Sequence, residues 1–250
     1  MDFTRIFKNM PVVTKNLIII NVLVWVAMAV LGPRLDLNVE NYLGLHYFSS
    51  TLFNPAQLLT YMFLHANFMH LFFNMFALFM FGIVLERVLG SKRFLFYFIS
   101  CGIGAGLIQE GVYAWYINDL LNQLPDSVLG IIDDQGVKII QQGMNYVDPQ
   151  MGELNALFNG CTIGASGAVY GILLAFGVLF PNQPIYLMII PIPIPAKYFV
   201  IGYGLIEFYQ GFYHSGGDNV AHFAHLGGML FGLIMILYWK KKGSIYGGLY

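Results

Sequence analysis

The 250-residue chain is 58% hydrophobic, 16% aromatic and only 10% charged, with a formal net charge of −1 and a mean hydropathy of +0.66. A soluble domain carries about 25% charged residues, so this chain cannot clothe its surface in charge, and lipid is its expected solvent. The near-zero balance without a basic patch excludes nucleic acid as a partner, and two cysteines, Cys101 and Cys161, make no disulfide framework and read as free thiols.

A spanning helix needs about 20 mostly apolar residues, and six candidates follow in chain order. The first, 16–32, lies between Lys15 and Arg34; it is long and lacks a small-residue cleavage site, so it is expected to stay as an anchor. The second covers roughly 58–85 and is closed by Glu86 and Arg87, with Glu86 expected to make structural polar contacts at the inner end. The third, roughly 94–117, is interrupted by Glu110. The segment 118–162 is an extended outer loop whose apolar-periodic runs, 128–132 and 137–140, read as small amphipathic pieces on the outer surface. The fourth span runs from Ser166 to about Phe180 and stops at Pro181. Pro191, Pro193 and Pro195 block a helix in the connection that follows. The fifth, roughly 197–213, carries Glu207, and the sixth, roughly 220–239, is closed by Lys240, Lys241 and Lys242.

With the N-terminus inside, the inner segments hold Arg5, Lys8, Lys15, Arg87, Lys92, Arg93, Lys197 and the three final lysines, whereas the outer ones hold only Arg34 and Lys138. Most acids, Asp36 and Asp218 among them, fall outside. This asymmetry sets orientation and puts both termini in the cytoplasm. The expected organisation is all-α: one six-transmembrane-helix membrane domain over 1–250, with a core of about 16–239 and a cytoplasmic tail at 240–250.

Polar side chains are costly in lipid and mark the bundle interior or a cavity. Ser166 lies 15 positions before Pro181, His225 lies 15 before Lys240, and His70 lies 16 before Glu86. At ~1.5 Å per residue all three sit roughly 20 Å above the inner ends of their helices, with Asn74 about one turn lower. The fourth helix covers only ~22 Å of a ~30 Å hydrocarbon core. Its N-terminus is therefore expected below the outer face, at the floor of a water-filled cavity open to that side. The loop 160–165, with Gly164, leads into it. Ser166 then has unpaired N–H groups and positive potential beside it. Gly167 and Gly171 on the fourth helix, and Gly228 and Gly232 on the sixth, form small-xxx-small faces that allow close approach. Serine becomes a nucleophile when a base takes its proton, and His225 is the candidate base. No Asp or Glu is in a convenient register at this depth, so a Ser166–His225 dyad is expected rather than a triad. Tyr170, one turn below Ser166, can pack under the imidazole, and His70 and Asn74 can donate to an oxyanion.

At these residues the chain resembles the rhomboid family of intramembrane serine proteases. The resemblance rests on 65–74 (HANFMHLFFN), 164–171 (GASGAVYG) and 224–228 (AHLGG), in order and on the expected helices. It implies Ser166 as nucleophile and His225 as general base. It further implies an oxyanion hole from His70, Asn74 and the Ser166 amide, and Tyr170 stacked on the imidazole. Gly164 stands among the supporting residues. No cofactor and no metal are implied, and the partners would be transmembrane protein substrates within the lipid bilayer, cut near their outer ends. A bacterial inner membrane is the expected location. His222 is an extra histidine, expected at the outer rim, and His65 is expected to bond the first outer loop. Many family members carry a Trp-Arg pair in that loop where this chain reads Ala56-Gln57.

Other readings are weaker. His222 and His225 are only i, i+3 and no H-E-x-x-H occurs, against a metalloprotease. No span contains the two aspartates of an aspartyl protease. A catalytically dead relative would lack the serine or the histidine, and a transporter would show inverted repeats and paired broken helices.

Overall fold

The computed structural model describes residues 8–35, 38–187, 190–213, 221–243 and 245. Arg5, Asp36 and Asp218 of the charge count, the expected start of the sixth span at Val220, and tail residues 244 and 246–250 lie outside the described residues.

Helix α1 (Val12–Leu35) is apolar on nearly all faces and largely exposed, as a lipid-facing helix should be. Its first turn presents N–H groups with no intrahelical partner, and the buried Glu86 carboxylate takes them. Oε1 accepts from the Val13 amide at 3.0 Å, and Oε2 accepts from the Thr14 amide at 2.7 Å and the Thr14 hydroxyl at 2.8 Å. Ser91 Oγ donates to Oε1 at 2.6 Å. This one carboxylate clamps α1 to the turn that joins the next two long helices.

The segment after α1 holds α2 (Val39–Leu43), β1 (Leu45–His46) and α3 (Gln57–Thr60), which runs into a 3-10 turn at Tyr61–Phe63. Gln57 organises it: its amide oxygen accepts from Asn54 and His46, and its nitrogen donates to the Leu52 carbonyl at 2.8 Å. Helix α4 (Phe68–Leu89) contains a π-helical turn at Leu78–Gly82. It starts ten residues later than the apolar run suggested. Leu64 and Asn67 are extended, and the Asn67 side chain caps the helix by accepting from the His70 amide. One polar asparagine is too little to divide a long apolar run, so the break was read as part of the span.

Helix α5 (Ser91–Leu121) is 31 residues long, ~46 Å and more than a ~30 Å hydrocarbon core requires, and a second core forms on its C-terminal turns. Those turns support α6 (Ser127–Gln141) and α7 (Pro149–Asn159), which share a small core of Ile117, Leu120, Val128, Ile132, Leu154 and Phe158. The segment after α5 is thus built largely of two packed helices. From α7 the chain passes through β2 (Cys161–Thr162), antiparallel to β1 with Leu45 opposite Thr162. Burial in this strand pair, with Glu40 nearby, pushes the Cys161 thiol up to about 12, so it stays protonated and inert.

Helix α8 (Ser166–Leu179) is the most deeply buried element, and its 14 residues reach only ~21 Å. The proline-rich connection forms a hairpin of β3 (Pro184–Leu187) and β4 (Ile190–Pro195), since alternate prolines suit extended backbone. Helices α9 (Ala196–Phe212) and α10 (His222–Lys241) complete the chain. Among the described residues, four helices are long and apolar enough to cross a membrane: α1 over Val12–Gly32, α4, α5 and α10.

Lipid tails are as apolar as leucine, so the bundle is held by close packing rather than by escape from water. The main core joins Leu71 and Leu78 of α4, Tyr97, Phe98 and Cys101 of α5, Ala168 and Ile172 of α8, and Ile236 of α10. Contact between α8 and α10 is backbone to backbone: a Cβ added at Gly228 would lie 1.8 Å from the Gly167 carbonyl oxygen. Any side chain there would force the helices apart.

Candidate active site

Three helices and one loop meet around Ser166. The loop is fixed before the helix begins: the Gly164 amide donates to the Tyr61 carbonyl at 2.9 Å, and the Tyr113 and Thr162 hydroxyls are 3.1 Å apart. Gly164 has φ +133°, a conformation L-residues rarely adopt. A Cβ there would also lie 2.8 Å from His70 Nε2 and Cε1, and 3.6 Å from Ser166 Oγ. The His70 ring therefore lies directly across Gly164, on the side where Ser166 points.

The shared depth read from residue spacing is realised as a contact. His225 Nε2 lies 2.8 Å from Ser166 Oγ, joining α10 to the first residue of α8. Tyr170 is stacked on the His225 ring, centroids 4.2 Å apart and planes 7° from parallel. Asn74 is buried one turn below His70 and donates from Nδ2 to the His70 carbonyl at 2.9 Å. His65 packs edge-on against His70 at 5.0 Å. His225 and Tyr170 thus gather at Ser166, the His70 ring faces it across Gly164, and Asn74 sits one turn below His70 with its amide on backbone.

Two residues overturn the expected arrangement. A carboxylate does stand behind His225: Glu207 Oε2 is 2.8 Å from His225 Nδ1. His222 is not a rim residue but buried, its Nδ1 2.7 Å from the same oxygen. The Tyr170 hydroxyl donates to Glu207 Oε1. The reason lies in direction. Helix α9 starts beside the C-terminal end of α8, where the Lys197 amide donates to the Pro181 carbonyl, so Glu207, 11 residues after Ala196, stands ~16 Å back toward the start of α8, and its long side chain covers the remaining distance to His225. The signal was present in the sequence: Glu207 is the one acid in its span, and an i, i+3 histidine pair sits on the next. Gln109 was also missed. Its Oε1 accepts from the Ala224 amide at 3.0 Å and so caps α10 from α5.

Chemically, the layer offers a hydroxyl facing an imidazole nitrogen, a second imidazole across the loop, and a helix N-terminus beside both. Glu207, His222 and His225 also present one ligand atom each within 4.8 Å of one another, a set able to hold a metal ion; as arranged, both imidazoles bond the carboxylate directly.

The Rhomboid domain family model matches residues 53–120 and 128–242, most of the chain and every residue of this layer. The chain belongs to the rhomboid family, and with its apolar helices it is a multi-pass membrane protein. It is similar to mitochondrial rhomboid protein 1 of Saccharomyces cerevisiae, 26% identical over 185 residues that cover 72% of this chain and 40% of that protein. It is also similar to the rhomboid protein YdcA of Bacillus subtilis, 29% identical over 129 residues, 51% of this chain and 43% of that one. The chain therefore spans about two fifths of the length of each of these relatives.

Proposed function

We propose that this protein is an intramembrane serine endopeptidase that cleaves transmembrane protein substrates near their outer ends. Six spans enclose a water-filled cavity open to the outer face, with both termini cytoplasmic. The observation that carries this reading is the 2.8 Å contact between Ser166 Oγ and His225 Nε2, made by two separate helices inside an apolar bundle. A capping or packing serine has no need of a buried histidine from another helix. Membership of the rhomboid family supports the same chemistry, as does the ten-to-two distribution of Lys and Arg for the orientation.

In this reading His225 Nε2 accepts the Ser166 proton as Oγ attacks the scissile carbonyl, and the carbonyl π pair moves onto oxygen. The oxyanion is met by the Ser166 amide at the α8 N-terminus, by the His70 ring and by the second Asn74 amide hydrogen. Each such donor is worth roughly 3–4 kcal/mol. Collapse breaks the C–N bond, and His225 returns the proton to the leaving amine. Water then attacks the acyl-enzyme by the same route and restores Ser166. Substrates must unwind locally, because a helix hides its carbonyls in internal hydrogen bonds; Gly or Pro beside a small residue is the expected feature of the cut site.

The test is labelling of the intact protein in detergent micelles with a fluorophosphonate or isocoumarin. Wild type is expected to be modified at Ser166, and both Ser166→Ala and His225→Ala to lose the label. Labelling that survives His225→Ala unchanged overturns the base assignment, and an unlabelled, inactive wild type overturns the reading.

A further inference from the structure

The Ser166–His225 pair leaves one end of the imidazole to be explained. A neutral imidazole carries its proton on one nitrogen only. To accept from Ser166 at Nε2, His225 must be protonated at Nδ1, and something must keep it so. Nδ1 faces a carboxylate oxygen, Glu207 Oε2, at 2.8 Å. An ionised carboxylate only accepts, so the hydrogen of that bond belongs to His225, and Nε2 is left with its lone pair toward Ser166 Oγ.

The carboxylate is itself held from three directions. His222 donates to Oε2 from one turn before His225 on the same helix, at 2.7 Å, and Tyr170 donates to Oε1 from α8. Tyr170 therefore touches the assembly twice, through its ring on His225 and through its hydroxyl on Glu207. Glu207 and His222 are 5% and 8% exposed, so their mutual attraction is little screened by water. An unpaired carboxylate at this depth would be severely penalised. Simple helix glue requires one bond across an interface, whereas here three donors from two helices fix both oxygens, and one of them is the imidazole in contact with the serine.

We propose that Glu207 is a positioning residue that extends the Ser166–His225 pair to a Ser–His–Glu triad, with Tyr170 and His222 orienting its carboxylate. This rests on the reading of Ser166 as nucleophile and His225 as base. Glu207 touches no reacting atom. It fixes the tautomer and ring direction of His225, and its charge stabilises the imidazolium that forms when Oγ attacks, without taking the proton.

Glu207→Gln preserves shape and hydrogen-bond reach and removes the charge. In cleavage of a synthetic transmembrane peptide by the full chain in micelles, it is expected to lower kcat on the order of 10²- to 10⁴-fold. KM is expected to stay within about threefold, since the substrate never meets Glu207. Glu207→Asp is expected to recover part of the loss by restoring the charge. A kcat within about threefold of wild type, or a raised KM with kcat intact, makes Glu207 merely structural and overturns the proposal. So does activity of wild type that a chelator removes and zinc restores, which would give the cluster to a metal. If the Gln variant fails to fold, ¹⁵N-histidine-labelled wild type decides. A strongly deshielded Nδ1-bound proton that disappears in His225→Ala is expected, and its absence from protein that labels with fluorophosphonate overturns the triad. Loss of labelling in Ser166→Ala and His225→Ala beside an unimpaired Glu207→Gln sinks this assignment alone; an unlabelled wild type sinks the Ser–His reading beneath it.

Discussion

Gly164 sets the geometry that Ser166 inherits. Its φ of +133° turns the backbone into α8, and the absence of a Cβ lets the His70 ring lie within 2.8 Å of where that atom would be. Gly164→Ala is therefore doubly opposed, by backbone conformation and by collision with a ring held on α4. The fold has little stake in this residue, which lies in a loop already tied to Tyr61 and Tyr113. The expected outcome is a drop in Ser166 labelling of about 10²-fold, the size of losing one oxyanion donor, with thermal unfolding lowered only slightly. Unchanged labelling would remove His70 from the oxyanion site. At this scale the sequence was legible wherever depth could be counted from a marked helix end. Pro181, Lys240 and Glu86 gave such marks, and the serine and the two histidines fell at one depth, with Asn74 about one turn lower. Glu207 escaped because its helix runs the other way, and a count from a different face does not compare directly. His222 escaped because a residue at the start of a span reads as peripheral unless its partner is known.

Helices show a different balance. The apolar runs predicted where α5, α8, α9 and α10 lie to within a few residues, because a membrane leaves a helix few alternatives. The start of α4 was not legible, since a single capping asparagine, Asn67, inside a long apolar run does not by itself mark a helix boundary. The glycine pairs were legible as close-packing faces, and the structure shows how close: the Gly228 Cα side meets the Gly167 carbonyl oxygen itself. Gly228→Ala is expected to displace α10 from α8 by about a methyl radius, which lengthens the Ser166–His225 contact beyond hydrogen-bond range. Labelling should fall at least about tenfold, with a destabilisation of about 1–3 kcal/mol from overpacking. If Gly228→Ala labels like wild type, α10 can shift without moving His225, and the close approach serves assembly alone.

Among the described residues the two largest hydrophobic cores are separate, one among α4, α5, α8 and α10 and the other where α6 and α7 meet the end of α5. The second, the outer core if the N-terminus is cytoplasmic, is built by α6 and α7 on the C-terminal end of α5, and polar bonds complete it: Asn159 Nδ2 donates to the Ile132 carbonyl at 2.9 Å and to Asn155 Oδ1 at 3.0 Å. Sequence periodicity found the amphipathic runs in this segment but not their partner, because the supporting surface is the outer turns of a helix that hydropathy assigned to the membrane. The pair leads through β2 into the Ser166 loop, yet that loop is pinned separately by β1, Tyr61 and Tyr113. The two cores should therefore unfold as separate cooperative units. Ile132→Asp buries an unpaired charge at the centre of the outer core and is expected to cost that unit about 4 kcal/mol or more. Limited proteolysis should then cut within 122–148 while α4, α5, α8 and α10 stay protected, and fluorophosphonate labelling of Ser166 should remain within about threefold of wild type. Labelling that collapses together with protease resistance in the outer pair would mean that α6 and α7 hold the Ser166 loop in place, and that the outer pair belongs to the catalytic unit.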